Sequence, residues 1–376
     1  MGYYRFLLAT FVALSHTNLY MPINLGVSSV IVFYFISGYL ISISYENFKI
    51  KTNYSKTNFY IDRILRLFPS YILVFFITLI FFLIFDLDNA TNLMIDNERF
   101  FNLQIFKEML MIPNSFAFLT TSSSSNIIPP GWSLGVEMQF YFLLPFLVLL
   151  KIKKRMVLLI LLVFLHLLAL LNSNYLFDYI TFCDALLNEG KCWIVLNELY
   201  RFEILNSHIS DIFGYRSILF TLAVFLFGNI CYECFIKGNK YKYFIYLIVF
   251  IYVFSFFIFL VGDLLKNKHT IEVLIAAIVL IPLSFNLLEK IRKRKTISWL
   301  DSFFGKLAYP VFLSHFLAIW TIEIIIIDSN DQYKIPLIMT VCFIYSLGIM
   351  YFQNFVDKFR YKVRGFKRTT KDYLKT

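Results

Sequence analysis

The stretch Arg5–His16, RFLLATFVALSH, is the starting point for interpreting the chain. It is an apolar segment with an ionisable residue at each end. The eleven steps between Arg5 and His16 return an α-helix to nearly the same face and rise about 16 Å, roughly half of a bilayer core. A membrane helix would thus place the guanidinium near one surface and the imidazole near mid-depth. Ionisable groups at that depth are costly and usually mark a function. A surface arginine and a histidine bonded to a neighbouring helix fit this stretch equally well.

The composition of the whole chain favours the membrane. Of its 376 residues 59% are hydrophobic and 16% are charged, whereas soluble domains carry about 25% charged residues. The formal net charge is +11, but the basic residues form short clusters between apolar runs. That pattern is typical of cytoplasmic loops and argues against nucleic-acid binding. We therefore predict an all-α, polytopic integral membrane protein.

Ten apolar segments approach the length that spans a bilayer. Their predicted bounds are 4–20, 26–45, 70–86, 132–150, 156–172, 216–236, 242–261, 270–288, 306–327 and 335–356. Most of the 35 lysines and arginines lie in alternate loops, which places both termini in the cytoplasm. We predict one integral-membrane domain over residues 1–356 and a basic cytoplasmic tail over residues 357–376.

Two pairs of residues stand out, one near the predicted cytoplasmic surface and one within the second predicted segment. Arg63 and Arg66 share one helix face at a spacing of i and i+3, which suits a phosphate. An interfacial anchor explains the same spacing. Gly38, next to the small Ser37, would let a second helix approach closely.

Three further residues lie inside predicted spans. Glu137 follows the turn 129–131 by about one and a half helical turns, where a carboxylate needs a partner. His315 lies at a depth similar to that of His16. His166 has only apolar neighbours in sequence, so we interpret it as structural.

The cysteines do not point to a metal centre. Cys231 and Cys234 form a CxxC at a helix end with no second pair, which favours a structural role over metal or redox use. Cys183 and Cys192 share a predicted outer loop, where a disulfide can form.

Five blocks, taken in order, resemble the acyltransferase 3 family of integral-membrane O-acyltransferases, which modify sugars of bacterial surface polysaccharides. The blocks are Arg5-x10-His16, VFYFISGYLI from Val32 to Ile41, RILRLFPSY from Arg63 to Tyr71, WSLGVEMQFY from Trp132 to Tyr141, and LAYPVFLSHF from Leu307 to Phe316. The chain departs from the family pattern at Met138, where a second Glu is usual, and at 354–358, where Glu-Lys-Pro is usual.

The resemblance implies an acyl-CoA donor, with acetyl-CoA as the default, and a glycan or lipid-linked glycan as acceptor. It implies that His16 is essential, as a general base or as a nucleophile. It further implies a bacterial inner (plasma) membrane location and action alone or with a separate extracytoplasmic partner. The site residues that we predict are catalytic His16, Glu137 and His315 and donor-binding Arg5, Arg63 and Arg66.

Two other classes of many-spanning protein are alternatives. Buried His and Glu also suit a transporter or flippase for a small or lipid-linked molecule, although the chain lacks paired halves. A polysaccharide polymerase would span the membrane as often, but its outer loops should hold more arginines than Arg99 and Arg201. Only the acyltransferase should consume an acyl-CoA.

Overall fold

Helices make up the regular structure of the described residues, and no strand occurs among them. The computed structural model describes residues 1–17, 23–51, 56–85, 106, 108–112, 127–171, 216, 218–236, 269–293, 298–325 and 331–363. The helices are α1 (Gly2–Ser15), α2 (Leu25–Lys51), α3 (Lys56–Phe85), α4 (Gly131–Leu147), α5 (Ile152–Leu171), α6 (Ile218–Ile236), α7 (Thr270–Ile275), α8 (Ile281–Lys293), α9 (Trp299–Ile325) and α10 (Asp331–Val363). Predicted segment 242–261 lies outside the described residues, and each other predicted segment overlaps at least one of these helices.

Five helical stretches are long and apolar enough to cross a membrane: Leu25–Phe48, Thr57–Phe85, Ile271–Lys290, Trp299–Ile325 and Lys334–Val363. Such runs form helices in lipid because no water is present there to satisfy backbone N–H and C=O groups. The described part of the chain therefore confirms the predicted all-helical membrane architecture. The count of ten spans and the cytoplasmic position of both termini stay predictions.

Close helix packing organises the bundle. The contacts of α1 are mainly with α9 and α2, while α2 packs against α6 and α10 packs against α9 and α3. A β-carbon added at Gly38 of α2 would collide with the carbonyl oxygen of Phe225 in α6. The close approach predicted for Gly38 is thus confirmed, and a small residue is required there.

A π-helical turn, Ala276–Leu280, joins α7 to α8. The carbonyl oxygen of Leu280 accepts hydrogen bonds from the Ser284 hydroxyl at 2.6 Å and from the Tyr4 hydroxyl at 3.3 Å. The turn thereby ties α8 to α1.

Arg155 fastens α5 to its neighbours from a buried position. Its guanidinium donates to Asn229 Oδ1 at 2.7 Å and pairs with the carboxylate of Glu233. Asn229 in turn donates to the Ser42 hydroxyl at 2.8 Å. A polar network therefore joins α5, α6 and α2 among apolar side chains.

The last helix continues past the predicted end of its span at residue 356 and runs to Val363. Asp357 and Arg360, which the sequence places in the basic tail, are consequently helical. Both lie against the site described next.

Candidate active site

A cavity of about 570 Å³ lies among α1, α2, α3, α4, α9 and α10. It extends from the first residues of α1 and α9 and the last turns of α10 to Phe312 in the middle of α9. We call it the basic cavity, because its charged lining residues include four cations: Arg5, Arg66, Lys306 and Arg360. The carboxylates that line it are Glu137, Asp301 and Asp357.

The structure brings three of the predicted site residues together in the basic cavity. Arg5 from α1, Arg66 from α3 and Glu137 from α4 all line it. Arg5 lies within electrostatic range of both Arg66 and Glu137. Neither arginine side chain makes a hydrogen bond or an ion pair inside the described part of the chain, so their N–H groups are available to an anion.

Glu137 is held by two hydroxyl groups. It accepts a hydrogen bond from Ser37 Oγ at 3.0 Å and another from the hydroxyl of Tyr141, one turn further along α4. Two donors satisfy part of the hydrogen-bonding capacity of the carboxylate. Glu137 therefore has the polar partners that the sequence analysis required for a carboxylate within the membrane.

Arg63 lies outside the basic cavity, although it was predicted to bind the donor together with Arg66. Its side chain is only 1% exposed and pairs with the carboxylate of Asp62. It also donates to Ser44 Oγ at 2.7 Å. The guanidinium carbon lies 5.5 Å from the ring centroid of Phe59 and 5.7 Å from that of Tyr141. Ser44 lines the cavity, so Arg63 lies behind its wall, and the Nε and Nη1 atoms of Arg63 have no hydrogen-bond partner among the described residues.

Asp62 and Arg360 were missed by the sequence analysis. Arg360 Nε donates to Asp62 Oδ1 at 2.8 Å, and Arg360 Nη1 donates to Asp357 Oδ1 at 3.1 Å. The i, i+3 spacing of Asp357 and Arg360 was a visible signal of a helical pair. Their assignment to a tail concealed it.

The structure brings the two mid-depth histidines together beyond the inner end of the basic cavity. His16 caps the C-terminus of α1, and its ring stacks on that of His315 with centroids 5.4 Å apart. The ring of Phe316 contacts both, at 4.6 Å from His16 and 4.7 Å from His315. His16 is exposed, whereas His315 is fully buried.

The hydrogen bond of His315 fixes its tautomer. Nδ1 lies 2.9 Å from the carbonyl oxygen of Phe312, which can only accept. The proton therefore resides on Nδ1, and Nε2 of the neutral ring carries a lone pair. Nε2 is buried without a hydrogen-bond partner in the described part of the chain. The structure does not connect His315 to Glu137 by a hydrogen bond.

Phe312 links the two parts of the site. Its side chain lines the basic cavity, and its carbonyl oxygen holds His315. The ring of Phe33, which also lines the cavity, lies 6.2 Å from the Phe312 ring in an edge-to-face arrangement. The Phe312 ring also lies 6.0 Å from the ring of His315, so Phe312 contacts both the cavity and the histidine pair.

The remaining candidate residues lie elsewhere. His166 is buried on α5 with its ring 5.2 Å from that of Phe220, in keeping with its structural interpretation. Cys231 and Cys234 are buried and free. Cys183 and Cys192 lie outside the described residues.

Comparison with known proteins adds the family. The acyltransferase 3 model, described as an acyltransferase domain, matches residues 2–352. An uncharacterized protein from Aquifex aeolicus (strain VF5) is 32% identical over 241 residues, which are 63% of this chain and 90% of that protein. No solved structure matches the chain. The family match covers nearly the entire sequence, and so the chain belongs to the acyltransferase 3 family.

Proposed function

We propose that the protein is an O-acyltransferase that moves an acyl group, by default acetyl, from cytoplasmic acyl-CoA to a hydroxyl of a cell-surface polysaccharide or its lipid-linked precursor. The observation that carries the proposal is the order of groups along α9. Lys306 and Phe312 line the basic cavity, and His315 follows within one further turn. Family membership supports acyl transfer as the reaction.

The basic cavity suits the donor. Acyl-CoA combines an anionic nucleotide with a long, narrow arm that ends in a thioester. The unpaired guanidinium groups of Arg5 and Arg66 offer the forked N–H geometry that binds phosphates well. The cavity volume of about 570 Å³ lies within the range of about 300–1,000 Å³ typical of small-molecule sites. In this proposal the arm extends along α9 toward Phe312, and the edge-to-face pair of Phe33 and Phe312 must open for the thioester to reach the histidines.

His16 is the general base in the proposed reaction. It takes the proton of the acceptor hydroxyl while the oxygen attacks the thioester carbonyl carbon. The C–S bond then breaks, and the CoA thiolate leaves and accepts the proton from His16. His315 orients His16 through their stacked rings, and the charge of Glu137 partly balances that of Arg5, which lies within electrostatic range.

The proposed location is the inner (plasma) membrane of a bacterium. The donor enters at the predicted cytoplasmic end of the bundle. The acceptor glycan approaches from the opposite end, alone or with a separate extracytoplasmic partner that completes the transfer.

The test uses membranes that contain the wild type, His16→Ala or, as the matched control, His166→Leu. Labelled acetyl-CoA is supplied, and label on surface polysaccharide is measured. We expect transfer by the wild type and the control and none by His16→Ala. Equal labelling by His16→Ala would remove His16 from the chemistry. If the wild type is well expressed but consumes no acetyl-CoA, acetyl-CoA is not the donor, and a transporter function becomes the alternative.

A further inference from the structure

Arg360 lines the basic cavity near the C-terminus of α10, although it lies beyond residue 352, where the family match ends. A side chain of a basic tail would be solvated and mobile, whereas this one is held by two carboxylates. The two carboxylates, those of Asp62 and Asp357, hold Arg360 in a fixed orientation at the cavity lining.

The hydrogen bonds of Arg360 leave most of its donors unused. A guanidinium carries five N–H groups. One is donated to Asp62 and one to Asp357, and the described residues take no other. Three N–H groups therefore remain on a side chain whose orientation is already fixed. Such pre-orientation lowers the entropy that binding an anion would cost.

Asp62 connects this arginine to the predicted arginine pair. Its carboxylate is fully buried and accepts from Arg360 through Oδ1 and from Arg63 through Oδ2. Of these two arginines, Arg360 lines the cavity and Arg63 does not. The arginines that face the cavity at this end are Arg66 and Arg360, on two different helices.

The two arginines come to this end of the cavity from different helices. Asp62 precedes Arg66 by one turn of α3, a backbone rise of about 6 Å toward the predicted cytoplasmic surface. Arg360 reaches the level of Asp62 from α10, because its Nε is bonded to that carboxylate. Two guanidinium groups that approach one cavity from two helices suit a ligand with more than one phosphate.

We propose that Arg360 binds a phosphate at the nucleotide end of the acyl donor and that Asp62 is the residue that positions it. This inference rests on the proposed function, since it takes acyl-CoA as the donor. Arg5 and Arg66 then bind other parts of the same ligand. Arg63 acts indirectly, by sharing Asp62.

The test compares binding of CoA with binding of pantetheine, which has the same arm without the nucleotide and its phosphates. Calorimetry is carried out on the full chain in nanodiscs for the wild type, Arg360→Gln and Lys362→Gln. Lys362 is exposed on the same turn of α10 and does not line the cavity, which makes it the matched control. We expect Arg360→Gln to weaken CoA roughly 10- to 100-fold, as for a lost hydrogen bond to a charged group, and to leave pantetheine unchanged.

Two further variants separate positioning from folding. Arg360→Lys keeps the charge but loses the fork, and we expect CoA affinity between that of the wild type and that of Arg360→Gln. Asp62→Asn should weaken CoA and spare pantetheine, because it releases Arg360 without removing it. Retained pantetheine binding in each variant demonstrates that the protein is folded.

Several outcomes would overturn the assignment. An equal loss of affinity for CoA and for pantetheine in Arg360→Gln would show that Arg360 has a structural role. Unchanged CoA affinity in that variant would exclude a contact between Arg360 and a phosphate. Unchanged CoA affinity together with reduced retention of phosphatidylglycerol would identify a lipid headgroup as the phosphate source. CoA binding that depends on Arg360 without any acetyl transfer would refute the proposed function, while the contact between Arg360 and a phosphate of CoA would still hold.

Discussion

The imidazole rings of His16 and His315 stack at an interplanar angle of 23°, although the two residues come from opposite ends of the sequence. His315 is locked by the carbonyl of Phe312, whereas His16 has no hydrogen bond to a described residue through its ring. One imidazole is therefore fixed by the backbone, and the ring stacked on it is held by no hydrogen bond to a described residue.

Replacing His315 with Phe should retain the aromatic stack and lose both ring nitrogens. We expect kcat for acetyl transfer to fall about 100-fold, within the range for loss of an acid–base partner. The carbonyl of Phe312 keeps its helical position, so folding should survive. Size-exclusion profiles and the kcat of His166→Phe serve as controls, and wild-type activity in His315→Phe would leave the stack with a packing role only.

The proposed role of His16 as a general base predicts that no acylated enzyme forms. The wild type is mixed with labelled acetyl-CoA in the absence of acceptor, and the protein is then denatured. We expect no label on the protein. Label on the wild type that disappears in His16→Ala would instead identify His16 as the nucleophile.

Helix spacing at Gly38 predicts a sharp difference between two glycines. Gly38→Ala should lower the free energy of unfolding by about 1–3 kcal/mol, because the new methyl group overpacks the contact with Phe225. Gly348 has nothing within 4 Å of an added β-carbon, so Gly348→Ala should be neutral or stabilise by about 0.5–1 kcal/mol. Thermal unfolding in detergent compares them. Equal stability of the two variants would mean that α2 and α6 can separate without cost.

Four basic residues at 151–155 look equivalent in sequence, yet only Arg155 among them is buried. Arg155→Gln breaks a buried ion pair with Glu233 and should destabilise the protein by about 3 kcal/mol. The exposed neighbour Lys154 provides the control, since Lys154→Gln should change stability by less than about 0.5 kcal/mol. Similar melting temperatures for both variants would show that the Arg155 network contributes little.

Helices could be predicted from the sequence because every segment that spans lipid must satisfy its own backbone N–H and C=O groups. Apolar length alone identifies such helices, and each predicted segment within the described residues overlaps at least one of them. The close approach at Gly38 was also predicted, from a glycine beside the small Ser37, although Gly348 shows that a glycine in an apolar helix need not mark a contact. The meeting of His16 and His315 followed from equal depth and from the contact of α1 with α9.

The arginines were harder to predict, because spacing gives a face of a helix but not what that face meets. Arg63 and Arg66 differ by about 60° around α3, enough for one to be buried against Phe59 while the other lines the cavity. Arg360 escaped notice because charge density at residues 357–376 resembles a solvated tail. Its partner Asp62 is nearly 300 positions away, and only tertiary structure joins them.

The π-helical turn at Ala276–Leu280 has a rotational consequence for everything after it in α8. One extra residue in a turn swings the following side chains by about 100° relative to an uninterrupted α-helix. Glu289, two turns further on, then meets the hydroxyl of Tyr39, which donates to it at 3.3 Å. Tyr39 also lines the basic cavity. One additional residue in the turn thus sets the direction in which the Glu289 carboxylate points from α8, and so its contact with the Tyr39 hydroxyl on α2.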